Sequence, residues 1–211
     1  MSRAERFALA GAVVLILLQA ASVAVPALAA ALEYRVGALC TAPWRLLSGH
    51  LVHINWPHAL INAAAWFIVA RLFARELTPA RQLLVVLAAS IVVSLGLAFV
   101  YPRIDWYRGF SGVLHALFFA GATAWLQQTL AARETRNPGT LWLPVALVAG
   151  GWVKVWLEQP AEGTTPFAAW LGSTTVPQAH LLGAACGTVF GLIFARARAS
   201  APLPTVGDQR E

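Results

Sequence analysis

The chain has 211 residues, of which 59% are hydrophobic and only 11% charged, with a formal net charge of +6. A soluble domain of this size needs more polar surface than that, so a water-soluble enzyme or binding module is excluded. The positive balance comes from arginines grouped between apolar runs, a pattern that sets membrane orientation, and nucleic acid is set aside as a partner on that ground.

An apolar run of about 18 or more residues can cross a hydrocarbon core ~30 Å thick. Backbone groups in lipid must bond within their own segment, so such runs are helices. Six are predicted, near 7–31, 57–75, 82–101, 110–131, 140–157 and 177–195. They make one all-α, six-helix membrane domain over 1–198, followed by a polar, disordered tail over 199–211.

Arg3 and Arg6 precede the first segment, which ends in Ala27-Leu28-Ala29, a sequence that a signal peptidase could cut. The run is longer than a signal core, and removing it would leave five helices and upset the charge distribution, so it reads as a retained helix. A long outer loop, about 32–56, carries Cys40, Trp44-Arg45, His50, His53 and Trp56. The second segment opens His58-Ala-Leu-Ile-Asn62, and Arg71, Arg75 and Arg81 surround the connection to the third. Arg103, Trp106 and Arg108 lie before the fourth segment, which opens Gly109-Phe-Ser111-Gly112 and continues to His115. Arg133 and Arg136 follow it. The fifth segment starts at Trp142 and holds Lys154, the one lysine, with Glu158 four residues on. The sixth opens Ala179-His180 and carries Gly183, Cys186, Gly187 and Gly191; Arg196, Arg198 and Arg210 come after it.

Ten arginines therefore flank the N-terminus, the even-numbered connections and the tail, against four on the other side. The excess predicts that both termini are cytoplasmic. Trp56, Trp106 and Trp170 fall at the outer boundary and Trp142 at the inner one, as an interfacial belt. Cys40 and Cys186 sit at different depths, and no disulfide or other role is assigned to them.

Polar groups inside spans are costly and mark function by default. Segments two, four and six all run from outside to inside, so His58, Asn62, Ser111 and His180 lie at one depth near the outer face and predict a shared polar cavity. A serine hydroxyl becomes a useful nucleophile when an imidazole takes its proton. The reading here is a Ser–His dyad, with no carboxylate expected at that depth. His58 and Asn62, at i and i+4, share one helix face and can donate to an oxyanion together with the Ser111 backbone N–H. His180, Gly183, Gly187 and Gly191 share another face, and small residues at that spacing let a neighbouring helix approach closely. If the neighbour is segment four, His180 meets Ser111, with Gly109 and Gly112 removing bulk beside it. His115 competes as a base, being at i+4 from Ser111, but lies a turn deeper and is read as a supporting residue. Lys154 and Glu158 are read as an ion pair. Each feature alone has a bland reading as ordinary helix packing or a structural hydrogen bond; their coincidence at one depth favours chemistry.

These motifs resemble those of the rhomboid intramembrane proteases: His-x-x-x-Asn on the second helix (His58–Asn62), Gly-x-Ser-Gly on the fourth (Gly109–Gly112) and Ala-His-x-x-Gly-x-x-x-Gly on the sixth (Ala179–Gly187). His53, five residues before the first motif, and Trp44-Arg45 in the outer loop match as well. The resemblance implies Ser111 as nucleophile, His180 as base, His58 and Asn62 as oxyanion donors, and an outer loop partly embedded in the membrane. Within the family the chain looks most like the rhombosortases, through its compact size, Gly-Phe-Ser-Gly-Val-Leu-His115 and the pair Lys154 and Glu158. That branch implies a bacterial inner-membrane enzyme with its active site opening toward the periplasm. Its substrates would be secreted proteins bearing a C-terminal tail of Gly-Gly, a transmembrane helix and a basic cluster. No cofactor or metal is expected. The competing readings are an inactive relative that binds membrane helices, a small transporter or proton pathway, and a metal site built from His50, His53, His58 and His180.

Overall fold

The computed structural model describes residues 1–132, 140–159 and 175–199. Arg133, Arg136, Trp170, Arg210 and the tail from 200 onward lie outside the described residues, so the expectations placed on them are not addressed by it.

The protein is mostly helical. In chain order the elements are α1 (Arg3–Ala24), α2 (Pro26–Leu32), β1 (Tyr34–Arg35), a 3-10 turn (Val36–Ala38), α3 (Arg45–Ser48), α4 (Trp56–Leu72), α5 (Pro79–Phe99), β2 (Trp106–Tyr107), α6 (Ser111–Ala131), α7 (Trp142–Glu158) and α8 (Pro177–Ala199). The sequence predicts six spans. Among the described residues, α1, α5 and α8 are long and apolar enough to cross a membrane. Large apolar side chains point away from the protein on several helices, including Leu17, Ile68, Phe99, Trp156 and Ile193. Side chains of this kind are sheltered by lipid in a membrane protein.

Local chemistry fixes the ends of the helices. Ser2 and Glu5 form a reciprocal capping box at the start of α1. Asn55 caps α4 by accepting from the His58 N–H, and Thr78 caps α5 by accepting from the Arg81 N–H; each helix carries proline in its first turn. The single run expected near 7–31 instead divides at Val25, which precedes Pro26 and leaves the helical region, with φ −130° and ψ 86°. The cause is the clash between a proline ring and a helical residue before it.

Contacts between termini order the bundle. Arg71, at the end of α4, pairs with Glu5 at the start of α1 at 3.1 Å. Arg81, at the start of α5, stands over the Phe194 ring of α8 at 4.9 Å. Trp66 of α4 donates its indole N–H to the Ala8 carbonyl of α1 at 2.8 Å. One end of the bundle thus gathers the start of α1, the end of α4, the start of α5 and the end of α8. The starts of α4 and α8 fall at the other end, where the start of α6 and the end of α7 meet them.

At that other end β1 and β2 pair antiparallel, Tyr34 with Tyr107 and Arg35 with Trp106. The buried Glu33 carboxylate beside the pair is held by Arg35 at 2.6 Å and by Arg108 at 2.7 Å. Arg45 donates to the Glu33 carbonyl at 2.6 Å and to the Ala30 carbonyl at 2.9 Å. This clamp ties the outer loop to the residues just before Ser111.

Candidate active site

Three helix starts and one helix end supply the site. Ser111 opens α6 directly after Gly109, whose φ of +137° is a conformation that side chains other than glycine's rarely adopt. A Cβ at Gly109 would also lie 2.7 Å from Cε1 of the His58 ring. The Gly109 N–H donates to the Gly49 carbonyl at 3.2 Å, which anchors the turn to the outer loop.

His180 lies in the first turn of α8, and α8 packs backbone to backbone on α6. A Cβ at Gly112 would stand 2.9 Å from the Ala179 carbonyl oxygen, one at Gly183 would collide with the Gly112 carbonyl, and one at Gly187 with the Ala116 carbonyl. Such proximity is what a stripe of small residues permits. Its outcome is a Ser111 Oγ to His180 Nε2 separation of 2.9 Å.

The other nitrogen of His180 departs from the sequence expectation. Nδ1 lies 3.0 Å from Glu158 Oε2, so a carboxylate does stand at this depth, delivered by the last residue of α7. The dyad expected without a carboxylate has one against it. Glu158 also pairs with Lys154 at 2.9 Å. Lys154 Nζ is 2.6 Å from His115 Nε2, and His115 Nδ1 is 2.7 Å from the Ser111 carbonyl. The His115 and His180 rings stack with centroids 4.2 Å apart at 14°.

A cavity of about 510 Å³ opens beside these groups. His58, Asn62, Ser111, His115, Lys154, Glu158 and His180 supply its polar lining, and Ile61, Val69, Leu114 and Phe118 much of its apolar wall. A smaller cavity of about 210 Å³ shares His58 and Ser111 but is lined by Arg103, Asp105 and Arg108. Ser111 therefore borders a largely apolar chamber and a smaller one of mixed lining, where Ile54, Ile104 and Val176 join the charged groups. Asn62 donates one amide N–H to the His58 carbonyl at 3.0 Å, which leaves its second N–H for another acceptor.

The remaining histidines separate. His53 is buried, with its ring edge-on to His58 at 5.1 Å and neither ring nitrogen bonded among the described residues. His50 is buried in a different contact: Nε2 donates to the Ser90 carbonyl and to Ser94 Oγ, both at 3.0 Å, which pins the outer loop to α5. Burial lowers the His50 pKa to about 4, and burial together with the neighbouring His58 lowers that of His53 to about 3. His50 therefore does not join His53, His58 and His180 in a common ligand set. Among the described residues the grouping with metal-ligand spacing is His115, Glu158 and His180, whose ligand atoms lie within 4.8 Å of one another. The Lys154 ammonium points at two of these three, and a like charge there opposes a cation.

Two features escaped the sequence. The Glu33 clamp was hidden because its partners are dispersed through two loops. Glu158 is expected from the sequence as a supporting residue paired with Lys154, not as a partner of His180. The signal was present all the same: the fifth segment is expected to run opposite to the second, fourth and sixth, which brings its last residue to the end of the bundle where His58, Ser111 and His180 lie.

The family model of the rhomboid domain matches residues 41–197. No curated protein matches the chain.

Proposed function

Because the chain belongs to the rhomboid family, we propose that it is an intramembrane serine endopeptidase in which Ser111 is the nucleophile and His180 its base. The observation that carries this reading is the 2.9 Å separation between Ser111 Oγ and His180 Nε2 beside a cavity with an apolar wall. In this reading α4, α6 and α7 cross the bilayer with α1, α5 and α8. Both termini are cytoplasmic, and the site opens toward the periplasm of a bacterial inner membrane.

The chemistry follows from the atoms. The substrate segment enters the apolar cavity, and Ser111 Oγ attacks a peptide carbonyl while its proton passes to His180 Nε2. The carbonyl oxygen gains the negative charge and receives hydrogen bonds from Asn62, His58 and the Ser111 backbone N–H. One such donor contributes about 2.7–4 kcal/mol to the transition state. The start of α6 adds its positive end. His180 then gives its proton to the leaving amine, and an acyl ester remains on Ser111. Water, deprotonated by the same imidazole, hydrolyses the ester and restores the serine. In this reading the smaller cavity, which Ser111 shares with Arg103, Asp105 and Arg108, admits the water.

The substrates are membrane protein helices, and the finer reading is a rhombosortase. It acts on C-terminal tails of Gly-Gly, a transmembrane helix and a basic cluster, and so releases or remodels secreted proteins. Gly-Phe-Ser-Gly-Val-Leu-His115 and the Lys154–Glu158 pair, whose atoms are 2.9 Å apart, support it.

The test is cleavage in liposomes of a reporter ending in Gly-Gly, an apolar helix and a basic cluster. Wild type is expected to cut it, and Ser111→Ala and His180→Ala to lose more than ~10³-fold in rate while melting like wild type. Cutting of unrelated transmembrane reporters alone would keep the protease and remove the rhombosortase reading. Folded wild type that binds the helix without cutting any reporter would replace both with a helix-binding relative.

A further inference from the structure

The hydrogen bonds around Ser111 fix where each proton sits, and the assignment follows from donor and acceptor chemistry. The Ser111 carbonyl can only accept, so His115 Nδ1, 2.7 Å away, carries a proton and donates it. His115 Nε2 is then a bare lone pair, and it accepts from the Lys154 ammonium at 2.6 Å. Lys154 donates a second N–H to Glu158 Oε2 at 2.9 Å. A carboxylate beside an ammonium only accepts, so His180 Nδ1, at 3.0 Å, donates to Glu158. His180 Nε2 is left as the lone pair, and it faces Ser111 Oγ.

We propose that Glu158 is the third member of a Ser111–His180–Glu158 relay, and that Lys154 and His115 are positioning residues that hold its carboxylate and the His180 ring in the base-ready state. The inference rests on the protease reading above. Glu158 acts through His180: it selects the tautomer with Nε2 free, fixes the ring direction and balances the imidazolium that forms when Ser111 gives up its proton. Lys154 supplies the counter-charge that a carboxylate at the end of a membrane helix requires. His115 lies flat on His180 with both of its nitrogens engaged, one by the nucleophile's own carbonyl and the other by Lys154, so it has no lone pair for the hydroxyl. In this arrangement His180, and not His115, serves Ser111 as base.

This arrangement makes activity depend on α7. The nucleophile and base come from α6 and α8, which pack backbone to backbone, whereas the carboxylate comes from a helix that buries only Pro144 and Val155 of its 17 residues. A displacement of α7 would leave the 2.9 Å Ser111–His180 contact in place and remove the group that orients the base.

The experiment uses the full chain in liposomes with two readouts: kcat and KM on the reporter, and the rate at which an alkyl fluorophosphonate labels Ser111. Glu158→Gln is expected to lower kcat and the labelling rate by ~10²–10⁴-fold, with KM held within about twofold. Glu158→Asp, which keeps the charge, is expected to recover at least about tenfold of that loss. Lys154→Met is expected to lower kcat by a smaller factor in the same direction. Glu158→Gln that labels and turns over within about threefold of wild type overturns the relay while leaving the protease in place. If Glu158→Gln fails to melt as wild type does, Glu158→Asp and Lys154→Met decide, and kcat unchanged in both overturns the relay. Wild type that neither cleaves nor is labelled overturns the protease and the relay together.

Discussion

The α6–α8 pair and α7 meet at the same histidine but are built differently. α6 buries twelve of its 21 residues, among them Gly112, Leu117, Phe119 and Ala120. Its contact with α8 is made where glycines let one backbone touch the other's carbonyls. α7 buries two residues, and Gly150 on it has open space where a Cβ would go. Trp156 and Leu157, next to Glu158, are exposed. Lipid gives little hydrophobic drive to helix association, so van der Waals fit and polar contacts decide which helices hold tightly. By that measure the Ser111–His180 contact belongs to a fixed frame, and α7 is held at its C-terminal end by the Lys154 and Glu158 contacts, by Gln159 donating to the Pro177 carbonyl at 3.1 Å and by Val155 and Trp152 against Phe119. The difference teaches that the alignment of nucleophile with base and the alignment of base with carboxylate are separable properties.

The largest expected effect lies in the frame. Gly183→Leu places a side chain against the Gly112 carbonyl, and no rotamer change in a neighbour relieves a clash with backbone. It should cost about 3 kcal/mol, the upper end of overpacking penalties, and abolish cleavage, seen as loss of a cooperative melt or a large fall in Tm. A Gly183→Leu protein with wild-type Tm would erase the distinction between frame and α7.

Next comes the clamp that sets the start of α6. Glu33→Gln removes the buried carboxylate but leaves the partly exposed Arg35 and Arg108 access to solvent, and should cost about 1–3 kcal/mol. Chemical denaturation in mixed micelles measures it, and a change below about 1 kcal/mol would mean that the outer loop does not hold the frame.

Acid should loosen the same loop. His50 and His53 stay neutral when folded, with pKa values of about 4 and about 3 against 6.5 in the unfolded chain. A lowered folded pKa means that the unfolded state takes up protons first as pH falls. Their contribution is complete above pH 6.5 and is lost as pH drops from there toward 4. Tm should fall progressively over that window, and a flat Tm would show that neither ring is held neutral.

The smallest effect belongs to α7. Gly150→Ala meets no neighbour within 4 Å, and alanine favours helix by roughly 0.5–1 kcal/mol over glycine. Tm should stay level or rise slightly, with cleavage unchanged. A loss comparable to that of Gly183→Leu would place Gly150 at a contact as tight as that of α6 with α8.

Much of the frame was legible in the sequence because it rests on short-range rules. His58 and Asn62 are four apart, Gly183 and Gly187 are four apart, and alternating segments are expected to run one way, as α4, α6 and α8 do, with their starts at one end. Those rules put four polar groups at one depth before any coordinates. What was less legible depends on pairings between distant loops. β1 and β2 are two residues each, too short to show alternation, and Glu33 meets Arg108 across 75 positions. The division of the first helix at Val25 could be read from Pro26, since the residue before a proline avoids the helical region. The contact of Glu158 with His180 was missed for a different reason. Within its own helix it already had a satisfactory partner in Lys154, and only the depth of the end of α7 shows that His180 competes for the same carboxylate.

The most direct test of Ser111 as a nucleophile activated by His180 is mass spectrometry of the full chain in liposomes after exposure to an alkyl fluorophosphonate. A single adduct on Ser111, absent from Ser111→Ala and strongly reduced in His180→Ala, is the expected result. Folded wild type that carries no adduct at Ser111, or a His180→Ala variant labelled as fast as wild type, would contradict it.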